Sequence, residues 1–585
     1  MGPFFKTFFA SLLALLVFSV IAFFLLIAFV SGLAKSEKPA IEKNSVLVIN
    51  LGQHYLEQQL ENPLANFSSN DELVVPGVYD IVRLIKRAKT DERIKGIYLL
   101  AGLNPNGFAS CEEIRDALID FKKSGKFIFA YGEMMNQKSF YVANVADKVY
   151  INPKGYFDWM GFSTELLFLK GTLEKLDIKP QIFYAGKFKS ATEIFRTDKM
   201  TDENRLQTSV WLGDLYSHFL IKASEARKID TAVLHKLANE GTIQTPKDAV
   251  TNQLIDGVKY DDEVRDEIKH KLGLGKYDRV DFISINSYFK AADFKKFSGE
   301  KIALIYAQGD IIDGTSSEQT QIGSKDYLKL IRKARLDKTV KAIVFRVNSG
   351  GGSALASEVI WRELSLAKKD KPVVVSFGDV AASGGYYISC AADSIFASPT
   401  TITGSIGVFG IIPNMQAFFK NKLGVTFDGV KTAPYADAGA IYRPLSENEK
   451  LFIQNSVNEI YFGFKQRVAD GRKKTTEYID SIGQGRVWSG EKAIGIGLID
   501  KFGGLDEAVK CAARMAKLTD YRLKEFPETK NIFDRIFGPS ENILRNNAMR
   551  NELGEENFKI YKELIRVKQM TNTVQARLPF EFFVQ

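Results

Sequence analysis

The sequence predicts an α/β protein in which two homologous α/β domains follow, in tandem, an N-terminal transmembrane helix. Three features predict it: an uncharged apolar stretch near the N-terminus, an internal repeat, and within each repeat an alternation of short Val/Ile-rich runs with amphipathic helical patterns. That alternation is the signature of βαβ units and a mostly parallel sheet, whose strands are buried on both faces and so read as continuous apolar runs.

The apolar stretch comes first. Residues 7–34 carry no charge and are dense in Leu, Phe, Val and Ala. A signal-peptide core runs to about 7–15 residues, whereas a bilayer span needs about 20. The stretch is therefore expected to be an uncleaved anchor, with cleavage after Ala34 as the weaker alternative. Lys6 lies on one side and Lys35, Lys38 and Lys43 on the other, so orientation is weakly encoded.

The repeat has an offset of about 245 residues. The run 45–51 (SVLVINL) matches 301–306 (KIALIY), and the helical pattern 79–90 (YDIVRLIKRAKT) matches 327–338 (YLKLIRKARLDK). Further on, 94–100 (IKGIYLL) matches 340–346 (VKAIVFR), 125–131 (GKFIFAY) matches 371–377 (KPVVVSF), and 241–245 (GTIQT) matches 485–489 (GRVWS). The expected units are an anchor at 7–34, α/β repeats at 45–275 and 300–520, and a helical tail at 525–585 with a helical stretch at 556–571.

Composition narrows the function. The chain has 585 residues, 79 basic against 70 acidic, and a net charge of +9 without a long basic run. A solvated mixed surface accounts for that excess, so no nucleic-acid partner is expected, while an anionic membrane surface stays open. Cys111, Cys390 and Cys511 lie far apart without a CxxC pair, which argues against zinc and disulfides. No P-loop and no ligand cluster appears, so neither a metal nor another cofactor is expected.

Two glycine-rich loops follow predicted strands in the second repeat, at 348–353 (NSGGGS) and 382–386 (ASGGY). Ser383 falls at a strand-to-helix junction, where free N–H groups at a helix start can stabilise an oxyanion. Each loop alone is equally well an ordinary βα connection. The repeat sharpens the reading, because Ser383 aligns with Gln137, Gly384 with Lys138 and Gly385 with Ser139. The first repeat thus carries neither the serine nor its glycines.

A nucleophilic serine needs a base. The four histidines, His54, His218, His235 and His270, all lie in the first repeat and none sits in a glycine-rich loop. Lysine is the other route, as in Ser-Lys variants of the triad. Lys189 is the candidate, in residues 184–195 (YAGKFKSATEIF). Residues 190–193 (SATE) form a capping-box pattern, which places Lys189 just before a helix start. A lysine base must be neutral, and moving its pKa from about 10.4 to about 7–8 takes roughly 3–5 kcal/mol, a size that burial supplies. The aligned place in the second repeat, 432–435 (TAPY), has no lysine, so the losses in the two repeats are complementary.

Taken together, residues 184–195, 348–353, 381–387 and 403–410 (TGSIGVFG) resemble the long, two-domain form of the signal peptide peptidase A family of Ser-Lys membrane peptidases. The resemblance covers roughly residues 5–520. It implies a fold like that of Clp proteases and crotonases, with Ser383 as nucleophile, Lys189 as general base, Gly384 and the Gly351/Gly352 pair as oxyanion donors, and Ser405 orienting the lysine amine. It implies a single-pass protein of the bacterial cytoplasmic membrane with its catalytic domains on the outer, periplasmic side. The implied assembly is a homo-oligomer, a tetramer, and the implied substrates are signal peptides or other apolar peptides left in the bilayer. One departure is Gly350, where family members often carry proline. Two rival readings stay open from the residues alone: a crotonase-like acyl-transfer enzyme and a non-catalytic membrane scaffold.

Overall fold

The computed structural model describes residues 2–33, 39–59, 74–316, 318–528, 554 and 573–578. The N-terminal helix runs Gly2–Leu33. Its segment Gly2–Phe23 has a mean hydropathy of 2.2 and none of it is buried against the rest of the chain, so by length and composition it is able to cross a membrane.

The first repeat builds a six-stranded sheet with all its pairings parallel. In spatial order its strands are Gly257–Val258, Lys148–Phe157, Phe127–Met135, Ile94–Leu100, Ser45–Asn50 and Phe282–Ser284. The second repeat builds an eight-stranded sheet around Glu300–Gln308, Val340–Ser349 and Val373–Ala382, again parallel through its centre. The helices Val78–Thr90 and Ser324–Leu336 fall at matching places, and each buries its apolar stripe. A longer helix recurs as well. Asp202–Arg227 and Glu447–Arg472 are both 26 residues long, start on a Thr201 or Ser446 cap, and end at Lys228 and Lys473 in the left-handed conformation.

A third, six-stranded sheet joins the repeats. Its order is Gln321–Gly323, Asp310–Ile312, Gly351–Ser353, Val574–Arg577, Val408–Asn414 and Lys179–Ala185. The strand Lys179–Ala185 comes from the first repeat yet pairs antiparallel along its whole length with Val408–Asn414 of the second. The largest apolar cluster also spans both repeats, from Leu47 and Ile97 to Val344 and Ala512. Deep inside, Arg346 bonds Glu57 at 2.7 Å and Glu113 at 2.6 Å, so one guanidinium of the second repeat satisfies two carboxylates of the first.

The tail holds one described strand that the repeat pattern did not announce. Residues 556–571 lie outside the described residues. Among the described residues of the tail, Val574–Arg577 form a strand. It is held by backbone pairing to strands on both sides, which local sequence propensity does not register.

Candidate functional site

The strand Val373–Ala382 ends at Ser383, and the short helix Gly384–Ser389 begins one residue later. Ser383 takes φ 53° and ψ −115°. A non-glycine residue held there costs on the order of 1–3 kcal/mol, so the surroundings must fix it. They do: Ser383 N–H donates to Gly404 O at 2.8 Å, and Tyr387 N–H donates to Ser383 O at 2.8 Å. In the first repeat the residue at the same junction is Asn136, which caps the helix Gln137–Ala143. The ungapped alignment sets Gln137 opposite Ser383 instead. The strand Phe127–Met135 is one residue shorter than Val373–Ala382, 9 against 10, which separates the two assignments by one residue.

Lys189 reaches the serine across the repeats. Its Nζ stands 2.9 Å from Ser383 Oγ, 3.0 Å from Ser405 Oγ and 3.3 Å from Ser405 O. Lys189 is 1% exposed, and Ser383 and Ser405 are 0% exposed. Desolvation holds the Lys189 amine well below the ordinary lysine range. The capping box expected at 190–193 is not formed. Ser190–Thr192 is a single 3-10 turn, Ser190 Oγ accepts from Gln207 Nε2, and Glu193 instead bonds Thr201 and Asn204. Lys189 caps that turn, which runs on into the short helix Glu193–Arg196, and burial is what lowers its pKa.

The glycine loops converge on the same place. Gly351, at φ 100°, packs so closely on the serine turn that a Cβ on it would stand 2.6 Å from Gly384 N. Gly352 lies one residue further along the same strand. The four histidines sit elsewhere. His218 Nε2 pairs with Glu112 at 3.0 Å, an acid beside a histidine that the sequence did not reveal, and among the described residues no histidine bonds Ser383.

Several supporting residues were not legible in the sequence. Gln207 donates to Phe188 O at 3.1 Å and accepts from Val487 N at 3.0 Å, fastening the lysine loop to the second repeat. Phe188 N–H donates to Gln484 O at 2.8 Å. Gly485, at φ 77°, lies against the lysine backbone, where a Cβ would stand 2.6 Å from Lys189 N. Its partner in the repeat, Gly241, has φ 57°, so only close packing on Lys189 distinguishes it.

Comparison with known proteins gives the class. The chain is 39% identical to Protease 4 of Salmonella typhi over 479 residues, covering 80% of this chain and 77% of that one. It is 33% identical to the chloroplastic serine protease SPPA of Arabidopsis thaliana, covering 82% of this chain and 70% of the relative. Among solved structures, a mutant ClpP1 from Listeria monocytogenes matches with a TM-score of 0.23 at 15% identity, over 34% of this chain and 91% of that one. The protein is thus a serine-type peptidase with two tandem copies of its α/β domain. The chain belongs to peptidase family S49, whose model matches residues 120–275 and again 365–519.

Proposed function

We propose that this peptidase is a membrane-bound endopeptidase with a Ser-Lys dyad, in which Ser383 is the nucleophile and Lys189 the general base. The observation that carries the proposal is the 2.9 Å approach of Lys189 Nζ to Ser383 Oγ in a site closed to bulk water. A neutral amine has two N–H donors and one lone pair. Ser405 O and Ser405 Oγ take the donors, which leaves the lone pair for the serine hydroxyl. Ser405 is thereby the residue that orients the lysine.

The chemistry follows. Ser383 Oγ attacks the peptide carbonyl as its proton passes to Lys189. The N–H groups of Gly384 and, from the Gly351/Gly352 pair, of Gly352 receive the oxyanion, because Gly351 N–H is donated to Ser349 Oγ at 3.1 Å. The lysine ammonium returns the proton to the leaving amine, giving an acyl-serine and a free amine. Water, deprotonated by Lys189, then attacks the ester and releases the carboxylate product and the serine hydroxyl.

The remaining assignments belong to the same reading. Residues 7–34 are the single-pass anchor in a bacterial cytoplasmic membrane, with repeats 45–275 and 300–520 on its outer face and 525–585 as a tail. Signal peptides and other apolar peptides remaining in the bilayer are the substrates, and the working assembly is a homo-oligomer, a tetramer. A fluorophosphonate probe followed by peptide mapping is the test. The expected label is on Ser383, and Ser383→Ala and Lys189→Ala each abolish peptide cleavage. Near-normal turnover of Lys189→Ala at neutral pH would remove the lysine from the role of base, and an unlabelled Ser383 would favour acyl-transfer chemistry of the crotonase kind.

A further inference from the structure

The tail strand Val574–Arg577 lies where a substrate would lie. It runs antiparallel to Gly351–Ser353 on one side and to Val408–Asn414 on the other. Leu578 N–H donates to Gly350 O at 2.7 Å, and the alternation of an antiparallel ladder makes Gly352 and Ala576 the next hydrogen-bonded pair. The Ala576 carbonyl oxygen is correspondingly close to the glycines. A Cβ on Gly351 would stand 2.1 Å from it and one on Gly384 2.9 Å from it. The carbonyl therefore faces the glycines read above as oxyanion donors; on that reading it stands in for a scissile carbonyl, and the bond that follows it is Ala576–Arg577.

The side chain just beyond that bond has a partner. The Arg577 guanidinium forms an ion pair with the Asp310 carboxylate, with side-chain exposures of 5% and 29%. Asp310 opens the strand Asp310–Ile312, whose Ile311 pairs with Gly352, so the backbone that carries the acid is fixed to the backbone that binds the carbonyl.

We infer that Asp310 is a specificity-determining residue on the leaving-group side of the cleft, selecting peptides with a basic side chain immediately after the scissile bond. The inference rests on the reading of Ser383 as nucleophile. A carboxylate on the strand paired with the carbonyl-binding glycine rewards a guanidinium or ammonium and repels an acidic side chain, and a partly desolvated pair discriminates where a fully solvated one would not.

Two fluorogenic peptides test it on the full chain: Val-Gln-Ala-Arg-Leu and the same peptide with serine in place of arginine. Competition from the tail strand divides out of the ratio of their kcat/KM values, because both peptides meet it equally. The arginine peptide is expected to be cut after alanine with a kcat/KM about tenfold above the serine peptide. Asp310→Asn brings that ratio close to one, and Asp310→Glu preserves it. Equal rates for the two peptides in the unmodified protein overturn the assignment, as does a ratio that survives in a folded Asp310→Asn variant. Ser383→Ala separates the two readings. If it cuts both peptides normally, the nucleophile assignment falls. If it is inert while the unmodified protein shows a ratio of one, only Asp310 loses its role.

Discussion

At the scale of single residues, the buried lysine carries an energetic cost. Burial holds the Lys189 amine well below the ordinary lysine range. In the unfolded chain the same amine titrates at about 10.4. Between the folded and unfolded values the unfolded state binds the extra proton, so this residue lowers stability at neutral pH, and the penalty disappears as pH rises through that window. Lys189→Met is expected to raise the melting temperature at pH 7 while abolishing activity, with the gap to the parent closing as pH approaches about 10.4. Melting curves across that range check it, and a gap that is constant or reversed contradicts it. Activity of the parent should rise as Lys189 loses its proton, without a limb near about 6.5 that a histidine substitution removes. The pairing of Ser383 with Lys189 was suggested by complementary losses in the two repeats. The physical cause of the lysine's state was only half legible: burial of the needed size was foreseen, but the cap pattern at 190–193 pointed to a capping box, where the chain makes a 3-10 turn running into the four-residue helix Glu193–Arg196.

At the scale of elements, the lysine depends on a strand borrowed across the repeat boundary and on a turn that only glycine permits. Gly485→Ala would place a methyl group 2.6 Å from Lys189 N at a φ of 77°. Two backbones cannot both stay where they are, and a displacement of about 1 Å costs about 100-fold in rate. The expected outcome is a folded protein, by circular dichroism and melting, with kcat/KM down about 100-fold. An active Gly485→Ala variant would show that the loop is not held at this point. The parallel core strands were readable because continuous Val/Ile runs mark burial on both faces. The pairing of Lys179–Ala185 with Val408–Asn414 was not, because an isolated strand leaves no local trace of a partner more than 200 residues away. The tail strand escaped for the same reason.

At the scale of the molecule, the repeats share their largest apolar cluster and one buried charge cluster, so neither is expected to act alone. The second repeat carries Ser383 but lacks both Lys189 and the edge strand that presents it. Arg346 is the sharpest test of the junction. Arg346→Ala strands Glu57 and Glu113 without their buried partner and is expected to cost about 3–5 kcal/mol, read by chemical denaturation. A cost below about 1 kcal/mol would mean the carboxylates find other partners or become protonated cheaply. The tail strand has a further consequence, of width. It fills the single place between Gly351–Ser353 and Val408–Asn414, so those two flanking strands stand two interstrand spacings apart, about 9.5 Å. An α-helix with its side chains is about 10–12 Å thick and has already spent its backbone hydrogen bonds on itself. A peptide resting in a bilayer is helical for that very reason. On the reading of this slot as the substrate cleft, it admits a peptide only after it has unwound, and a hydrocarbon staple that locks an apolar peptide as a helix should protect it from cleavage while its unstapled twin is cut.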